Sequence, residues 1–394
     1  MSLAAWPPTL GPVICVVGAR PNFMKMAPVL RAFAAHSPAI PSLLVHTGQH
    51  YDRNMSDRIF EDLGLPEPDV NLEVGSGSHS VQTAEVMRKF EPVIDRHKPS
   101  CVLVVGDVNS TLACTLVAVK KGIALAHVEA GLRSYDRSMP EEINRVLTDQ
   151  VADLLYTTER SAQGNLLREG VPAERIRFVG NVMIDSLHSH RQAAPTAAAT
   201  LAAEGADRSI AGDPRGYGLV TLHRPSNVDQ AQTLGVLLEA LRELSTSLPL
   251  VFAMHPRTRA NVTRFGLDRV IANAAIAVLP PQGYLQMLGL MAGATLVLTD
   301  SGGLQEETTA LGVPCVTLRE NTERPITVEQ GTNTLAGNDP AAIRAAVKEI
   351  LDGGGKRGRI PDLWDGHAAE RIAADLCNWL IRRNTGANIA GPGE

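Results

Sequence analysis

Aromatic residues are scarce: Phe, Tyr and Trp make up 4% of the 394 positions, so a core must be built mainly from Ala, Val, Leu and Ile. Cysteine is scarce too. Cys15, Cys101, Cys114, Cys315 and Cys377 are odd in number, widely scattered and free of CxxC or Cys/His spacing, which excludes a disulfide framework and a zinc knuckle. That usage fits a reducing cytoplasm, the compartment expected for the chain. No run approaches the roughly 18 apolar residues of a membrane span, and no basic segment followed by an apolar stretch opens the sequence. Positive charge is not in excess. Lys and Arg number 37 against 42 Asp and Glu, a net charge of -5, so there is no global basic field for nucleic acid or anionic lipid. An anionic ligand must be held by a few placed cations. Neither a G-x-G-x-x-G fingerprint nor a Walker A sequence follows the first strand-like run, which disfavours NAD, FAD and P-loop chemistry. The eleven histidines are dispersed and suggest no metal cluster.

What is present is an alternation. Short aliphatic runs at residues 13–17, 42–46, 101–105, 124–128 and 154–157 are separated by helix-length stretches at 24–35, 81–97, 109–121 and 141–149. Strands and helices in this order imply parallel strands joined by right-handed crossovers with helices on both faces. After a strand at 176–179 the text turns His- and Ala-rich up to Gly212-Asp213-Pro214, then the alternation restarts at 217–222, 250–254, 275–279, 294–299 and 314–318. The expected architecture is α/β: an N-terminal Rossmann-like domain over residues 1–190, a junction over 191–214, and a C-terminal Rossmann-like domain over 215–365. A final helix and tail over 366–394 would pack back across the junction.

In open parallel sheets ligands bind beyond the carboxyl ends of the strands, so polar residues directly after an apolar run are the candidates. After the first strand, Gly18-Ala-Arg20-Pro-Asn-Phe-Met-Lys25 places two cations at a helix start, suited to an anion, though solvated surface cations read the same way. Asp107 follows Val104-Val105-Gly106, and by itself reads equally as a capping or turn carboxylate beside a helix capped by Asn109 or Ser110. Glu129 ends the next strand, and Glu141 and Glu142 open the helix after Pro140, where Glu142 is an ordinary complement to the helix dipole. Asp107, Glu129 and Glu141 together are harder to treat as caps. Clustered carboxylates raise one another's pKa, the condition for one to act as acid while another acts as base. In the second half, His223-Arg224 ends a strand where an imidazole can stabilise or protonate a departing phosphate. Asp300-Ser301-Gly302-Gly303 leads into a helix start where small residues admit a phosphate to backbone amides, with Glu307 one turn in to accept from ribose hydroxyls and Arg324 a further cation.

In order along the chain, these motifs resemble the non-hydrolysing UDP-N-acetylglucosamine 2-epimerase family. The resemblance covers residues 13–379 and rests on Gly-x-Arg-Pro-x-x-x-Lys ending at Lys25, Thr47-Gly-Gln-His50, Gly106-Asp107, His127-Val-Glu-Ala-Gly-Leu-Arg133 and Pro140-Glu-Glu-x-Asn-Arg145. It continues through His223-Arg224, Asp300-Ser-Gly-Gly-x-Gln-Glu-Glu307 and Thr322-Glu-Arg-Pro325. It implies a GT-B-like fold with a UDP-sugar in the interdomain cleft, no metal or redox cofactor, a homodimer, and reversible inversion at the sugar C2 by anti elimination of UDP through a 2-acetamidoglucal. The family's catalytic positions fall on Asp107, Glu129, Glu141 and His223, and its UDP contacts on Arg20, Lys25, Tyr284, Ser301, Gly302, Gly303, Glu307 and Arg324. Gln49 falls at a regulatory position of substrate-activated members, whereas Tyr51-Asp52 departs from their pattern and Ser226 stands where many relatives carry Glu. The Thr-Gly-Gln-His-Tyr-Asp form also occurs in relatives acting on UDP-diacetamido-uronic acids, and a hydrolysing 2-epimerase releasing ManNAc and UDP is a further alternative. A retaining glycosyltransferase and a non-catalytic nucleotide-sugar sensor are the rivals outside the epimerases.

Overall fold

The computed structural model describes residues 5–48, 62–272 and 274–385. The chain forms two compact units, residues 1–188 with 362–394 and residues 189–361.

In the first unit β1 (Val13–Val17), α1 (Arg20–Ala35), β2 (Ser42–His46), β3 (Val70–Asn71), α2 (His79–His97) and β4 (Cys101–Val105) are followed by α3 (Asn109–Lys120) and β5 (Ala124–Ala130). Next come α4 (Pro140–Val151), β6 (Leu154–Thr157), α5 (Arg160–Arg168), β7 (Ile176–Phe178) and α6 (Val182–His190). All strands pair in parallel in the order β3-β2-β1-β4-β5-β6-β7. Every residue of β1, β4 and β5 is buried, as expected of central strands covered on both faces. The core they share with α2, α3 and α5 is mainly aliphatic, with Phe90 its one aromatic side chain. At roughly 1.5–3 kcal/mol per fully buried aliphatic side chain, that layer supplies much of the drive for folding. The returning segment contributes α13 (Ala368–Thr385; α7 to α12 lie in the second unit), which packs on α1 and buries Ile372, Leu376, Trp379 and Leu380. Asp185 on α6 caps it, accepting from the Ala368 and Ala369 amides at 3.1 and 2.7 Å.

The second unit repeats the plan with α7 (Ala197–Ala203), β8 (Gly218–Thr221), α8 (Ala231–Leu244), β9 (Leu250–Ala253), α9 (Pro256–Arg264) and β10 (Ile276–Leu279). It continues with α10 (Tyr284–Ala292), β11 (Leu296–Thr299), α11 (Gly302–Leu311), β12 (Cys315–Thr317), β13 (Asn333–Leu335) and α12 (Pro340–Leu351). Its parallel order is β10-β9-β8-β11-β12-β13. The strand order of each sheet thus turns back at a single point, between β1 and β4 in one and between β8 and β11 in the other, the place beyond whose strand ends open parallel sheets bind their ligands.

Several local details differ from the sequence reading. The stretch marked as a junction is folded: Thr196 caps α7, which packs on α10 within the second unit, and Gly289 is required because a Cβ there would lie 1.8 Å from the Pro195 carbonyl oxygen. The short edge strands β3 and β13 were not expected. Strand β5 runs on to Ala130, beyond the expected end at 128, with a register shift between Val128 and Ala130. Neither Asn109 nor Ser110 caps α3. Val108 occupies the cap, and Asn109 is buried inside the helix, donating to Gln82 Oε1 at 2.8 Å.

Candidate active site

At the first reversal point, Gly18 and Ala19 close the turn after β1 by donating their amides to Asn22 Oδ1, and Asn22 donates to the Val105 carbonyl at 2.9 Å. The turns after β1 and β4 are therefore tied together. Gly18 sits against the Thr47 and Ser110 hydroxyls, which lie 2.7 Å apart; a Cβ would lie 2.2 Å from Ser110 Oγ. Arg20 is the first residue of α1, and its side chain lies outside the described residues, as does Gln49. Lys25, one turn further on, is 6% exposed and forms an ion pair with Glu129. In this state it faces a carboxylate, a partner the sequence reading did not give it.

The three candidate carboxylates sit on neighbouring elements in three environments. Asp107 follows β4 on the left-handed Gly106 (φ 66) and pairs through Oδ2 with Nε of Arg145 at 3.1 Å and with Nη2 of the same guanidinium. Asn144 holds the Asp107 carbonyl at 2.9 Å, so α4 is fastened to this turn at two successive residues. Glu129 is 4% exposed and lies at φ 73 inside the shifted part of β5. A left-handed glutamate costs on the order of 1–3 kcal/mol and persists only where its surroundings fix it. Glu141 lies half-buried in the first turn of α4, and among the described residues no hydrogen bond or ion pair engages its carboxylate. Glu142 is more than a complement to the helix dipole. Buried, it accepts from the Ser134 and Tyr135 amides at 3.0 and 2.9 Å and from Arg145 at 2.6 Å, and so shapes the loop that leads into Glu141.

Beneath this surface lies a buried polar group. His127 contacts Asp149 through Nδ1 at 2.7 Å and the Gly106 carbonyl through Nε2 at 2.8 Å. Asp149 Oδ2 also accepts from the Gly131 amide at 3.0 Å and from Arg133 at 2.7 Å. Burial alone would raise the Asp149 carboxyl, yet His127 and Arg133 hold it below its ordinary value.

At the second reversal point, Asp300 follows β11 and is fully buried. It accepts from the His223 and Arg224 amides and from Asn227, and contacts Nδ1 of the His223 ring at 2.9 Å. Burial works against its charge, but His223 and these amides keep the carboxyl below its usual range. With Nδ1 committed to Asp300, Nε2 of the half-exposed His223 is the nitrogen left for a ligand. Ser301 precedes α11 without capping it, its amide donating to Thr299 Oγ1 at 3.0 Å. Gly302 opens the helix where a Cβ would lie 2.6 Å from Glu323 Oε1 and 2.9 Å from Arg324 Nη1; Gly303 continues it. Arg324 is not a lone cation. It binds Glu306 at 3.0 Å and Glu323 at 2.8 Å, and Glu323 also takes Arg319 at 2.9 Å and lies 3.7 Å from Arg224. These arginines hold the Glu323 carboxyl well below its usual range although burial opposes it. Among the described residues Glu307 has no such partner. Burial pushes it up to about 8, the Tyr284 hydroxyl offsets part of the rise and Glu306 adds to it. The Tyr284 hydroxyl and Glu307 Oε1 are both buried, with no aligned hydrogen bond among the described residues.

Sequence reasoning missed Asp300, Arg145, His127, Asp149 and Glu323. Asp300 was within reach, since it follows an apolar strand just as Asp107 does. No group of three or more His, Cys, Asp or Glu side chains suited to a metal occurs among the described residues, and no helix among them is long and apolar enough to cross a membrane.

Two doubly wound parallel units, with carboxylates at the strand ends of one and a glycine-opened helix start in the other, define a GT-B-like α/β enzyme. The family described as UDP-N-acetylglucosamine 2-epimerase matches residues 33–376. The UDP-N-acetylglucosamine 2-epimerase of Methanocaldococcus jannaschii is 42% identical over 92% of this chain and 97% of that protein. A crystal structure of the M. jannaschii UDP-GlcNAc 2-epimerase in complex with UDP-GlcNAc and UDP superposes with a TM-score of 0.84 at 41% identity, covering 93% of this chain and 99% of that one. The UDP-2,3-diacetamido-2,3-dideoxy-D-glucuronate 2-epimerase of Pseudomonas aeruginosa is 43% identical over 92% of this chain and 99% of its own. The chain belongs to the UDP-N-acetylglucosamine 2-epimerase family, whose members are isomerases.

Proposed function

We propose that the chain interconverts UDP-N-acetylglucosamine and UDP-N-acetylmannosamine without releasing the sugar. The observation that carries this reading is the set of carboxylates at the first reversal point: Asp107 and Glu129 each beside a cation, and Glu141 unengaged among the described residues. A carboxylate takes the C2 proton, the C–H electron pair forms the C1=C2 bond, and the C1–O bond breaks with UDP leaving on its oxygen. In the reverse sense UDP oxygen returns to C1 and a second carboxylic acid protonates C2 on the opposite face. Two groups on opposite faces make the step an inversion. Asp107, Glu129 and Glu141 are the acid and base candidates. His223, oriented by Asp300, supports the departing diphosphate together with Arg20, Lys25, Arg324 and the amides at Ser301, Gly302 and Gly303. Tyr284 and Glu307 receive the nucleoside, with Glu307 accepting from ribose hydroxyls. As in the family, the enzyme is proposed to act without a cofactor and as a homodimer.

A second reading has one specific support, the 43% identity to the diacetamido-glucuronate enzyme, beside 42% to the M. jannaschii enzyme. Incubation in deuterated water, followed by NMR, separates them. The first reading expects deuterium at C2 of both UDP-GlcNAc and UDP-ManNAc, and the second expects it only in the uronate pair. Free ManNAc with UDP would instead mean a hydrolysing enzyme.

A further inference from the structure

The buried His127 and Asp149 have no place in the chemistry above. Their contacts nonetheless end on the two turns that carry its carboxylates. His127 Nε2 meets the carbonyl of Gly106, the residue before Asp107, and Asp149 Oδ2 accepts from Gly131, two residues after Glu129. The same two turns meet directly where the Gly106 amide donates to the Val128 carbonyl at 3.1 Å. A carbonyl can only accept, and Asp149 carries Arg133 and the Gly131 amide as donors, so both nitrogens of His127 face acceptors. Both side chains are wholly buried. Asp149 also sits on α4, the helix that presents Glu141, Asn144 and Arg145.

We infer that His127 and Asp149 are positioning residues that lock the Asp107 turn, the left-handed Glu129 and helix α4 into one geometry for proton transfer. The inference rests on the proposed C2 epimerisation. Two amide variants separate the two ends of the lock. His127→Gln extends an amide N–H toward the Gly106 carbonyl in place of Nε2, whereas His127→Asn reaches only the Asp149 side. Turnover is normalised to the number of sites that titrate with UDP, which counts folded protein. Expected for His127→Asn is a kcat about 100-fold lower with KM unchanged within about twofold, because a displaced base weakens proton transfer more than binding. His127→Gln should keep kcat within about tenfold of the parent. If both variants turn over at the parental rate per UDP-binding site, or lose kcat equally, the positioning role is overturned. Should neither variant fold, the parent protein labelled with 15N-histidine still decides: an Nε2–H hydrogen-bonded to the Gly106 carbonyl is expected, and a bare Nε2 refutes the lock. A parent inactive on UDP-GlcNAc and on the uronate alike would defeat the reaction reading instead, leaving the nitrogen measurement as an independent test.

Discussion

The two units share one strand order and opposite electrostatic habits. At the reversal point of the first, Asp107 meets Arg145 and Glu129 meets Lys25, so the carboxylates sit beside cations. In the second, Glu323 gathers Arg319 and Arg324, while Glu307 on α11 has Glu306 as its charged neighbour and a carboxyl pushed up to about 8. Carboxylates beside cations suit the exchange of protons with carbon. A guanidinium cluster suits a diphosphate, and a buried glutamate suits a ribose hydroxyl. The difference teaches that the doubly wound frame fixes where a ligand lies, and the charges at the strand ends decide what happens to it.

The largest effect is expected from the first unit. Asp107→Asn should lower kcat by about 10²–10⁴-fold, the usual worth of general acid–base catalysis, while isothermal titration finds UDP affinity within about twofold. An equal loss in both would erase the division of labour. Next, Glu323→Gln leaves three arginines without their shared carboxylate and should cost about 3–5 kcal/mol in denaturant unfolding, against about 0.5 kcal/mol or less for Glu141→Gln. Because the Glu323 carboxyl is held low in the folded state, its contribution is complete above the unfolded value near pH 4–5 and is lost as pH falls through the folded one. Glu307 has the opposite sign. Its folded pKa of about 8 lies above the unfolded value, so its contribution is present at low pH and declines as pH rises toward 8. If ribose hydroxyls need the ionised carboxylate, UDP affinity should climb about fivefold from pH 7 to pH 8, and Glu307→Gln should abolish that climb. The smallest effect belongs to neither site: Arg88→Ala, in an exposed pair with Glu85, should leave the unfolding midpoint and turnover unchanged.

Much of this frame was legible in the sequence because buried parallel strands read as unbroken aliphatic runs, and the residues after those runs proved to be the polar ones. The edge strands β3 and β13 were not legible, since two or three half-buried residues leave no run to find. Long-range partners stayed hidden as well. Nothing local to Lys25 announces Glu129, more than a hundred positions away, and nothing in His-Val-Glu-Ala-Gly shows that its glutamate takes a left-handed backbone. The helix start at Asn109 misled because an Asn beside a helix N-terminus usually caps it. Here the helix begins one residue early, and the side chain is drawn inward by Gln82 and Asn144.

The discontinuity of the first unit bears on how the protein is made. Helix α13, which covers α1, is encoded after the whole of residues 189–361, so a ribosome working at roughly 5–20 residues per second delivers it on the order of ten seconds or more after the strands it completes. Throughout that interval the nascent α1 surface waits in the cell without its cover, while the second unit has everything it needs to fold. The half of the molecule that begins first is finished last, and a nascent chain stalled before residue 368 should be the form most in need of a chaperone.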